Sequence, residues 1–423
     1  MFFSDYVIQP KESTVGFGFL ENLPSLLTKE GGASPARETV SAVALMSLAH
    51  RSSCFDYLVS EARQCYGNAM RLLVKALQDP DAWHRDSTLA TVLCLGAYET
   101  LSGDLPSGTQ WTSHLNILEF LLCVRLTNQH VSPESRHLSY NAQFSLQLRN
   151  LSQRRRPNKE AMIMLNDADR DPAIKRMGFL VYITCYLLAS ADELISQAIS
   201  GQGSLSALSA VTAQGRQLDA QLAEWGANAS GNFAYQILSP FAGSCIGRRV
   251  SSQDGPTVHL YSSFSMACLW NFHRCTRIML NRCMTHCVTE SEKLDKSSPA
   301  RTDMPTIQMQ LTSLITSLID DICASVPYLL GEIDQQGNLQ RSTQNRAVGG
   351  LLLIWPLRVA FDIGCAKPAQ KVWIRRQLTY IKNIYGINGA VNDMPAHSWW
   401  TDPYQFYAYQ SYLQRNNAGP DES

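Results

Sequence analysis

Four cysteines and two histidines lie close together in the sequence, and both residue types can bind a metal ion. They are Cys268, Cys275, Cys283, Cys287, His273 and His286. Structural zinc sites usually pair their cysteines as C-x2-C, and no two cysteines of the chain have that spacing. On a helix, three of these cysteines would fall on one apolar side, where small core residues belong. We therefore predict core packing and no bound metal or other cofactor, with a metal site as the alternative.

A second candidate is a nucleophile elbow, the turn that presents the catalytic residue of many hydrolases. Residues 243–247 read Gly-Ser-Cys-Ile-Gly, which matches the elbow with Cys245 as nucleophile. The elbow requires a strand before it and a helix after it, whereas Pro240 lies just upstream and no strand–helix alternation surrounds it. The glycine pattern that begins at Gly201 ends in Ser206 and is not a dinucleotide fingerprint. The sequence therefore predicts a loop around Cys245 and no catalytic residues.

A short basic run could act in nuclear import. Residues 154–159 read Arg-Arg-Arg-Pro-Asn-Lys, within the polar stretch 149–171. We predict that this stretch is an exposed connection and that the basic run is a solvated loop, with an import signal as the alternative. His114, one turn before Leu118 on a predicted helix, is expected to be a semi-buried histidine with its hydrogen bonds satisfied.

Charge is balanced over the 423 residues, with 36 Lys plus Arg against 36 Asp plus Glu. Such a chain has no overall field to draw it onto DNA or an anionic membrane, so we expect no direct sequence-specific DNA binding. The N-terminus lacks the basic and apolar regions of a secretory signal. The apolar run 178–191 is too short to span a membrane, and the run 349–365 contains Arg358 and Asp362. Both runs predict buried helices and no membrane association.

Apolar residues recur with helical spacing through most of the chain, as in Leu58, Ala62, Cys65, Ala69, Leu72 and Ala76. The same period predicts further helices over about 86–101, 111–125, 173–197 and 258–288, from near Pro305, from near Ala347 with a kink at Pro356, and through 374–385. Residues 228–256 are rich in Gly, Ser and Pro and predict a long surface loop. We predict an all-α fold with an irregular lead-in (1–34), one helical domain (35–413) and a flexible tail (414–423).

A series of short motifs runs through the chain in a fixed order. The upstream motifs are Tyr66-Gly67, Tyr98-Glu99 and Trp111-Thr112-Ser113-His114, and the downstream ones are Trp270-Asn271 with Arg274 and Arg277, Asp321 through Pro327, Trp355-Pro356 and Trp373. Their order and spacing resemble the helical regulatory region of fungal binuclear zinc-cluster transcription factors, over about residues 40–395. Ile117 and Leu126 stand where that family usually has glycine. The resemblance implies a large multi-helix regulatory domain.

Physical chemistry assigns these motif residues structural roles. Trp270, Arg274 and Arg277 would share one side of a helix, where a tryptophan face can stack on a guanidinium. Asn271 falls among apolar positions and needs hydrogen-bond partners if it is buried. Asp321 lies near the C-terminal end of its helix, where a negative charge opposes the helix dipole and calls for a cationic partner. We predict that the helix carrying Trp270 is packed on nearly all sides and is central to the fold.

The resemblance also implies a function. Family members regulate transcription in the nucleus and carry six cysteines in a short basic N-terminal module, whereas this chain starts where the regulatory region would start. We therefore expect a regulator of fungal metabolic genes, with secondary metabolism as a setting. It would act through a zinc-cluster transcription factor or a homodimer, through a small-molecule effector, or both. One alternative is an enzyme or accessory protein of a fungal biosynthetic cluster without a recognisable motif, and another is a remnant whose cysteine module is lost or encoded upstream.

Overall fold

The computed structural model describes most of the chain up to residue 391. The described residues are 2–7, 21–32, 34–50, 52–103, 109–126, 132–167, 169–238, 257–295, 304–334, 336–338, 340, 347–362 and 365–391. Cys245, the candidate nucleophile, and the tail 414–423 lie outside them.

The described residues are predominantly helical, which confirms the all-α prediction. The first eight helices are α1 (Phe2–Tyr6), α2 (Leu23–Lys29), α3 (Pro35–Ala49), α4 (Phe55–Ala76), α5 (Pro80–Trp83), α6 (Asp86–Ser102), α7 (Thr109–Arg125) and α8 (Pro133–Ser152). The others are α9 (Lys159–Leu165), α10 (Pro172–Ile199), α11 (Leu205–Ala227), α12 (Phe264–Leu294), α13 (Met304–Leu329), α14 (Ala347–Asp362) and α15 (Pro368–Tyr385). Helices α1 and α2 fall in the lead-in that we predicted to be irregular, and Tyr6 and Leu23 are buried there.

Two short strands form a hairpin that the sequence did not indicate. Strands β1 (Tyr235–Leu238) and β2 (Val258–Tyr261) pair antiparallel, with Tyr235 opposite Tyr261. The predictions of a surface loop over 228–256 and of a helix starting at Val258 were therefore wrong at these positions. Helix α12 starts at Phe264 because the side chain of Ser263 accepts a hydrogen bond from the Met266 backbone N–H as its N-cap.

Helix α12 is the central element of the C-terminal half. It contacts α10, α11, α13, α14 and β2, and buried residues lie on all of its sides. This confirms the predicted central position. Its neighbour α10 is long and apolar enough to cross a membrane by length and composition. In the fold it packs against α8, α9, α11 and α12 as a core helix.

Cysteines of α12 are core residues, as predicted. Cys275, Cys283 and Cys287 are buried, and Cys268 is partly buried. Burial raises the pKa of the Cys275 thiol well above its ordinary value, so it stays protonated. Among the described residues, no group of three or more histidine, cysteine or carboxylate side chains has an arrangement that could hold a metal ion.

The stretch 149–171, predicted to be an exposed connection, is largely packed. Arg149, in the last turn of α8, is 0% exposed, and Arg154 is 8% exposed. Each arginine of the basic run contacts a carboxylate: Arg154 with Asp192 at 3.1 Å, Arg155 with Glu119 at 3.8 Å and Arg156 with Glu193 at 2.8 Å. The solvated-loop prediction holds only for Arg155 and Arg156, which are half-exposed. The import-signal alternative stays a prediction, because ion pairs as exposed as those of Arg155 and Arg156 contribute little stability.

Helices α13 and α14 approach each other closely at Gly349. A Cβ atom at this position would overlap the carbonyl oxygen of Leu329 and would lie 2.8 Å from its carbonyl carbon. Only glycine allows this approach of two backbones. Helix α14 then continues through Pro356 to Asp362.

Candidate functional site

Arg274 is the centre of a buried polar cluster where α12 meets the hairpin and α13. Its side chain is 1% exposed. Nη1 donates to the Tyr261 hydroxyl at 2.7 Å and to Asn271 Oδ1 at 3.0 Å, and Nη2 donates to His259 Nδ1 at 3.1 Å. Asn271 in turn donates from Nδ2 to Ser325 Oγ of α13 at 2.9 Å. The prediction that a buried Asn271 finds partners is thus confirmed.

Asp321 closes this cluster on the solvent side. Its carboxylate lies 3.9 Å from Arg274 Nε and 3.8 Å from His259 Nε2, and its side chain is 40% exposed. Arg274 is therefore the cationic partner that the position of Asp321 in α13 called for. Burial raises the pKa of Asp321, and the charge of Arg274 opposes that shift. Burial and then Arg274 lower the pKa of His259 to about 3, so its imidazole is neutral and can accept from Arg274.

Three aromatic rings surround the Arg274 guanidinium. Its central carbon lies 5.1 Å from the Tyr235 ring centre, 5.5 Å from Trp270 and 5.8 Å from Tyr261. Trp270 is fixed by a 2.8 Å hydrogen bond from Nε1 to the carbonyl of Phe233. The predicted stacking of Trp270 and Arg274 is confirmed, in a desolvated setting where such contacts are strongest.

Arg277 joins α12 to α11. It binds Asp219 through two parallel hydrogen bonds, from Nε to Oδ1 at 2.8 Å and from Nη2 to Oδ2 at 2.9 Å. Asn281 also donates to Asp219 Oδ1, at 2.8 Å. A bidentate pair with a further donor is a strong and directional contact, so Arg277 is a structural clamp.

We expect Arg277→Lys to lower the free energy of unfolding by about 1–2 kcal/mol, because lysine cannot form the two parallel bonds. Asp219→Ala should cost more, about 2–4 kcal/mol, because it leaves the largely buried Arg277 without its carboxylate and removes one of the two acceptors of Asn281 Nδ2. Urea denaturation of each variant measures the change. The exposed pair Arg176–Glu224 also joins α11 to a neighbour, so Glu224→Ala is a matched control with an expected cost below about 1 kcal/mol. Equal losses in Asp219→Ala and Glu224→Ala would contradict the clamp.

A cleft of about 290 Å³ opens beside the Arg274 cluster. Four elements line it: α11 with Ala223, Gly226 and Ala227, α12 with Trp270, His273, Arg274 and Arg277, α13 with Leu318 and Asp321, and the hairpin region with Ala229, Ala234 and Tyr235. Small residues of α11 leave the space open, since a Cβ on Gly226 would already lie 3.3 Å from the Trp270 ring.

Lining groups of the cleft include a neutral histidine and two paired arginines. Burial lowers the pKa of His273 to about 3, and its Nε2 donates to the Leu222 carbonyl at 2.8 Å. The neutral ring keeps Nδ1 as an acceptor, for which the structure describes no partner. The described lining contains no serine, cysteine or lysine that could act as a nucleophile. Cations in the cleft are neutralised, because Arg274 faces Asp321 and Arg277 binds Asp219.

Motif residues outside this cluster hold other parts of the fold together. His114 Nε2 lies 2.7 Å from Glu99 Oε1, which also accepts from the Tyr66 hydroxyl at 2.8 Å. His114 and Glu99 are both buried, so His114 is more buried than predicted. The prediction of satisfied hydrogen bonds holds for Nε2 only, because Nδ1 has no partner among the described residues. Trp111 belongs to α7, but its side chain lies outside the described residues.

The downstream motif residues have similar roles. Pro327 lies in the last turn of α13, and its carbonyl accepts from the Glu332 backbone N–H at 2.9 Å. Trp355 Nε1 donates to Ser152 Oγ of α8 at 2.8 Å. Pro356 and Trp373 are buried in α14 and α15. The structure thus unites Trp270, Asn271, Arg274, Arg277 and Asp321, and it places the other motif residues elsewhere.

Comparison with known proteins finds similarity to fungal transcription factors. Residues 3–160 match the model of the fungal specific transcription factor domain. Transcription factor dbaG of Emericella nidulans is 24% identical over 410 residues, which cover 92% of this chain and 88% of that protein. No solved structure matches the chain. The chain is therefore similar over residues 3–160 to the fungal specific transcription factor domain, and along nearly its whole length to a fungal transcription factor.

Proposed function

We propose that this transcriptional regulator works in the nucleus on fungal metabolic genes and binds a small-molecule effector in the cleft beside Arg274. It would reach its promoters through a zinc-cluster transcription factor or a second copy of itself. The cleft carries the effector proposal, because it is a concave site between four elements with convergent polar groups on aromatic walls. Its described lining contains no serine, cysteine or lysine that could act as the nucleophile of an enzyme.

The chemistry of the cleft favours a neutral ligand with hydroxyl groups on an aromatic body. Tyr235 and Trp270 offer ring faces, while the paired arginines leave no excess charge for an acid. The carboxylate of Asp321, 40% exposed at the edge of the Arg274 cluster, is a hydrogen-bond acceptor that a ligand can reach. A phenolic hydroxyl is a donor that can meet this acceptor.

A ligand in the cleft would influence how the surrounding elements pack. It would contact α11, α12, α13 and the hairpin at once, so the packing of these elements would respond to occupancy. A ligand that binds only the folded arrangement stabilises it in proportion to its saturation. This gives the regulator a means to report a metabolite without a catalytic step.

Thermal unfolding of the full chain with dihydroxybenzenes, their dimethyl ethers and benzoate tests the proposal. We expect saturable stabilisation by a dihydroxybenzene, about 2.7 kcal/mol at a hundredfold excess over Kd, and little effect of the ether or the acid. Ala223→Trp should abolish the effect by filling the cleft, and Asp321→Asn should weaken it. Stabilisation that survives Ala223→Trp, or none from any of the probes, would overturn the effector proposal.

A further inference from the structure

A second groove, of about 480 Å³, lies between the end of α14 and the first half of α15. Its lining comprises Phe361, Lys371, Val372, Arg375, Arg376 and Thr379, and it shares no residue with the effector cleft. Val372 is 53% exposed, and Arg375 and Arg376 are also exposed. The groove therefore presents apolar and cationic groups to its surroundings together.

Among the described residues, no carboxylate pairs with the cations of this groove. Lys371 and Arg375 stack over the Phe361 ring at 5.8 Å and 5.2 Å, and no side-chain hydrogen bond or ion pair of Lys371, Arg375 or Arg376 occurs among the described residues. Asp362, next to Phe361, already faces Arg358 at 3.7 Å. Helix α15 contains no acidic residue at all. By contrast, Arg125, Arg149, Arg154, Arg274 and Arg277 each face a carboxylate.

A sequence of complementary chemistry follows directly on the last described residue, Val391. Residues 392–413, which lie outside the described residues, contain Asp393 and Asp402 but no lysine or arginine. They also contain seven aromatic residues: Trp399, Trp400, Tyr404, Phe406, Tyr407, Tyr409 and Tyr412. Carboxylates suit unpaired cations, and aromatic faces suit an exposed guanidinium and an apolar floor.

We propose that the groove between α14 and α15 binds the acidic aromatic segment 392–413 of the same chain. The length of the chain allows this. Six helical residues lead from Thr379 to the end of α15 at Tyr385, about 9 Å, and six more lead to Val391, at most about 20 Å when extended, while ten extended residues of the segment span about 33 Å. The tether raises the local concentration of the segment to roughly the millimolar range, so individually weak contacts suffice.

The groove is a poorer match for nucleic acid. Proteins that bind DNA through its phosphates typically neutralise about 6–10 of them, and this groove offers three cations around an apolar floor. Phosphates would leave Phe361 and Val372 without a partner. Occupation by the aromatic segment instead covers these two side chains and neutralises part of the charge.

Limited chymotrypsin digestion of the full chain tests the proposal, because the enzyme cleaves after the aromatic residues of 392–413. We expect the triple variant Lys371→Glu, Arg375→Glu, Arg376→Glu to be cleaved there about tenfold faster than wild type, because the ion pairs with Asp393 and Asp402 would be lost and replaced by repulsion. Adding Asp393→Lys and Asp402→Lys should restore slow cleavage. Circular dichroism melts check that the altered side chains, which are exposed or half-exposed, leave the fold intact.

The control variant Arg71→Glu, Lys75→Glu reverses two exposed cations of α4 and should leave the cleavage rate unchanged. Equal cleavage of the triple variant and wild type would overturn the proposal. So would a triple variant that loses affinity for a DNA duplex while its cleavage stays slow, because the groove would then be a nucleic-acid surface. Failure of the effector experiment does not affect this result, since the two sites share no residue.

Discussion

Trp270→Ala should lower the free energy of unfolding by about 3–5 kcal/mol and leave poorly soluble protein. Trp270 is 7% exposed, and its ring contacts Trp225, Tyr235 and Arg274. Truncation removes this packing, uncovers the buried guanidinium and leaves the Phe233 carbonyl without its donor. The loss is a large share of the ~5–15 kcal/mol that a domain typically has. Circular dichroism melts of both proteins measure it as a lower unfolding midpoint.

Two further variants make this result specific. Trp270→Phe keeps an aromatic ring and should lose only about 1–2 kcal/mol, mainly through the missing hydrogen bond. Tyr57→Ala removes an aromatic ring that is 66% exposed on α4, so its melt should match wild type. An unchanged melt of Trp270→Ala, with loss of a partner only, would mean that Trp270 belongs to a binding surface.

Replacing Gly349 and Gly67 with alanine should change the free energy of unfolding in opposite directions. Gly349→Ala places a Cβ against the Leu329 backbone and 3.2 Å from Phe264 Cε1, so α13 and α14 must move apart. We expect a loss of at least about 3 kcal/mol, at the upper end of overpacking costs. Gly67 lies in α4, and a Cβ there would have no neighbouring atom within 4 Å outside the helix's own backbone. Gly67→Ala should therefore raise the free energy of unfolding by about 0.5–1 kcal/mol through helix propensity.

Urea denaturation of the two alanine variants provides the comparison. Both substitutions add one methyl group inside a helix, and they differ only in what surrounds it. A gain in stability for Gly349→Ala would mean that α13 and α14 lie farther apart than the structure shows.

Apolar periodicity was sufficient to predict most of the helices. The 3.6-residue period that starts near Leu58 corresponds to α4, and the all-round apolar run after Ala173 corresponds to α10. Polar residues in apolar surroundings were also informative. Burial indicated that Asn271 needs hydrogen-bond partners, and helix position indicated that Asp321 needs a cationic partner. Neither burial nor helix position could identify these partners. Ser325 contacts Asn271, and Arg274 contacts Asp321, only because α13 packs on α12.

The hairpin could not be predicted from period-2 alternation. All four residues of β2 are buried, and β1 has two exposed residues side by side. The sequence therefore gave no sign that Tyr235, His259 and Tyr261 would surround Arg274. Ser263 was the one available signal, because a serine before an apolar run can cap a helix. Likewise, nothing in the basic run indicated that carboxylates of α7 and α10 would face it.

The pairing of β1 with β2 also indicates where residues can be inserted into this chain. Leu238 and Val258 are direct partners, so the two ends of the intervening segment stay one strand spacing apart, about 4.8 Å. Closing a loop costs only about 0.6 kcal/mol more each time its length doubles. By loop-closure entropy alone, residues inserted between these partners cost little stability, whereas one residue inserted within α12 would rotate every side chain beyond it by about 100°. We therefore expect a fluorescent domain inserted between Leu238 and Val258 to leave the Arg274 cluster in register.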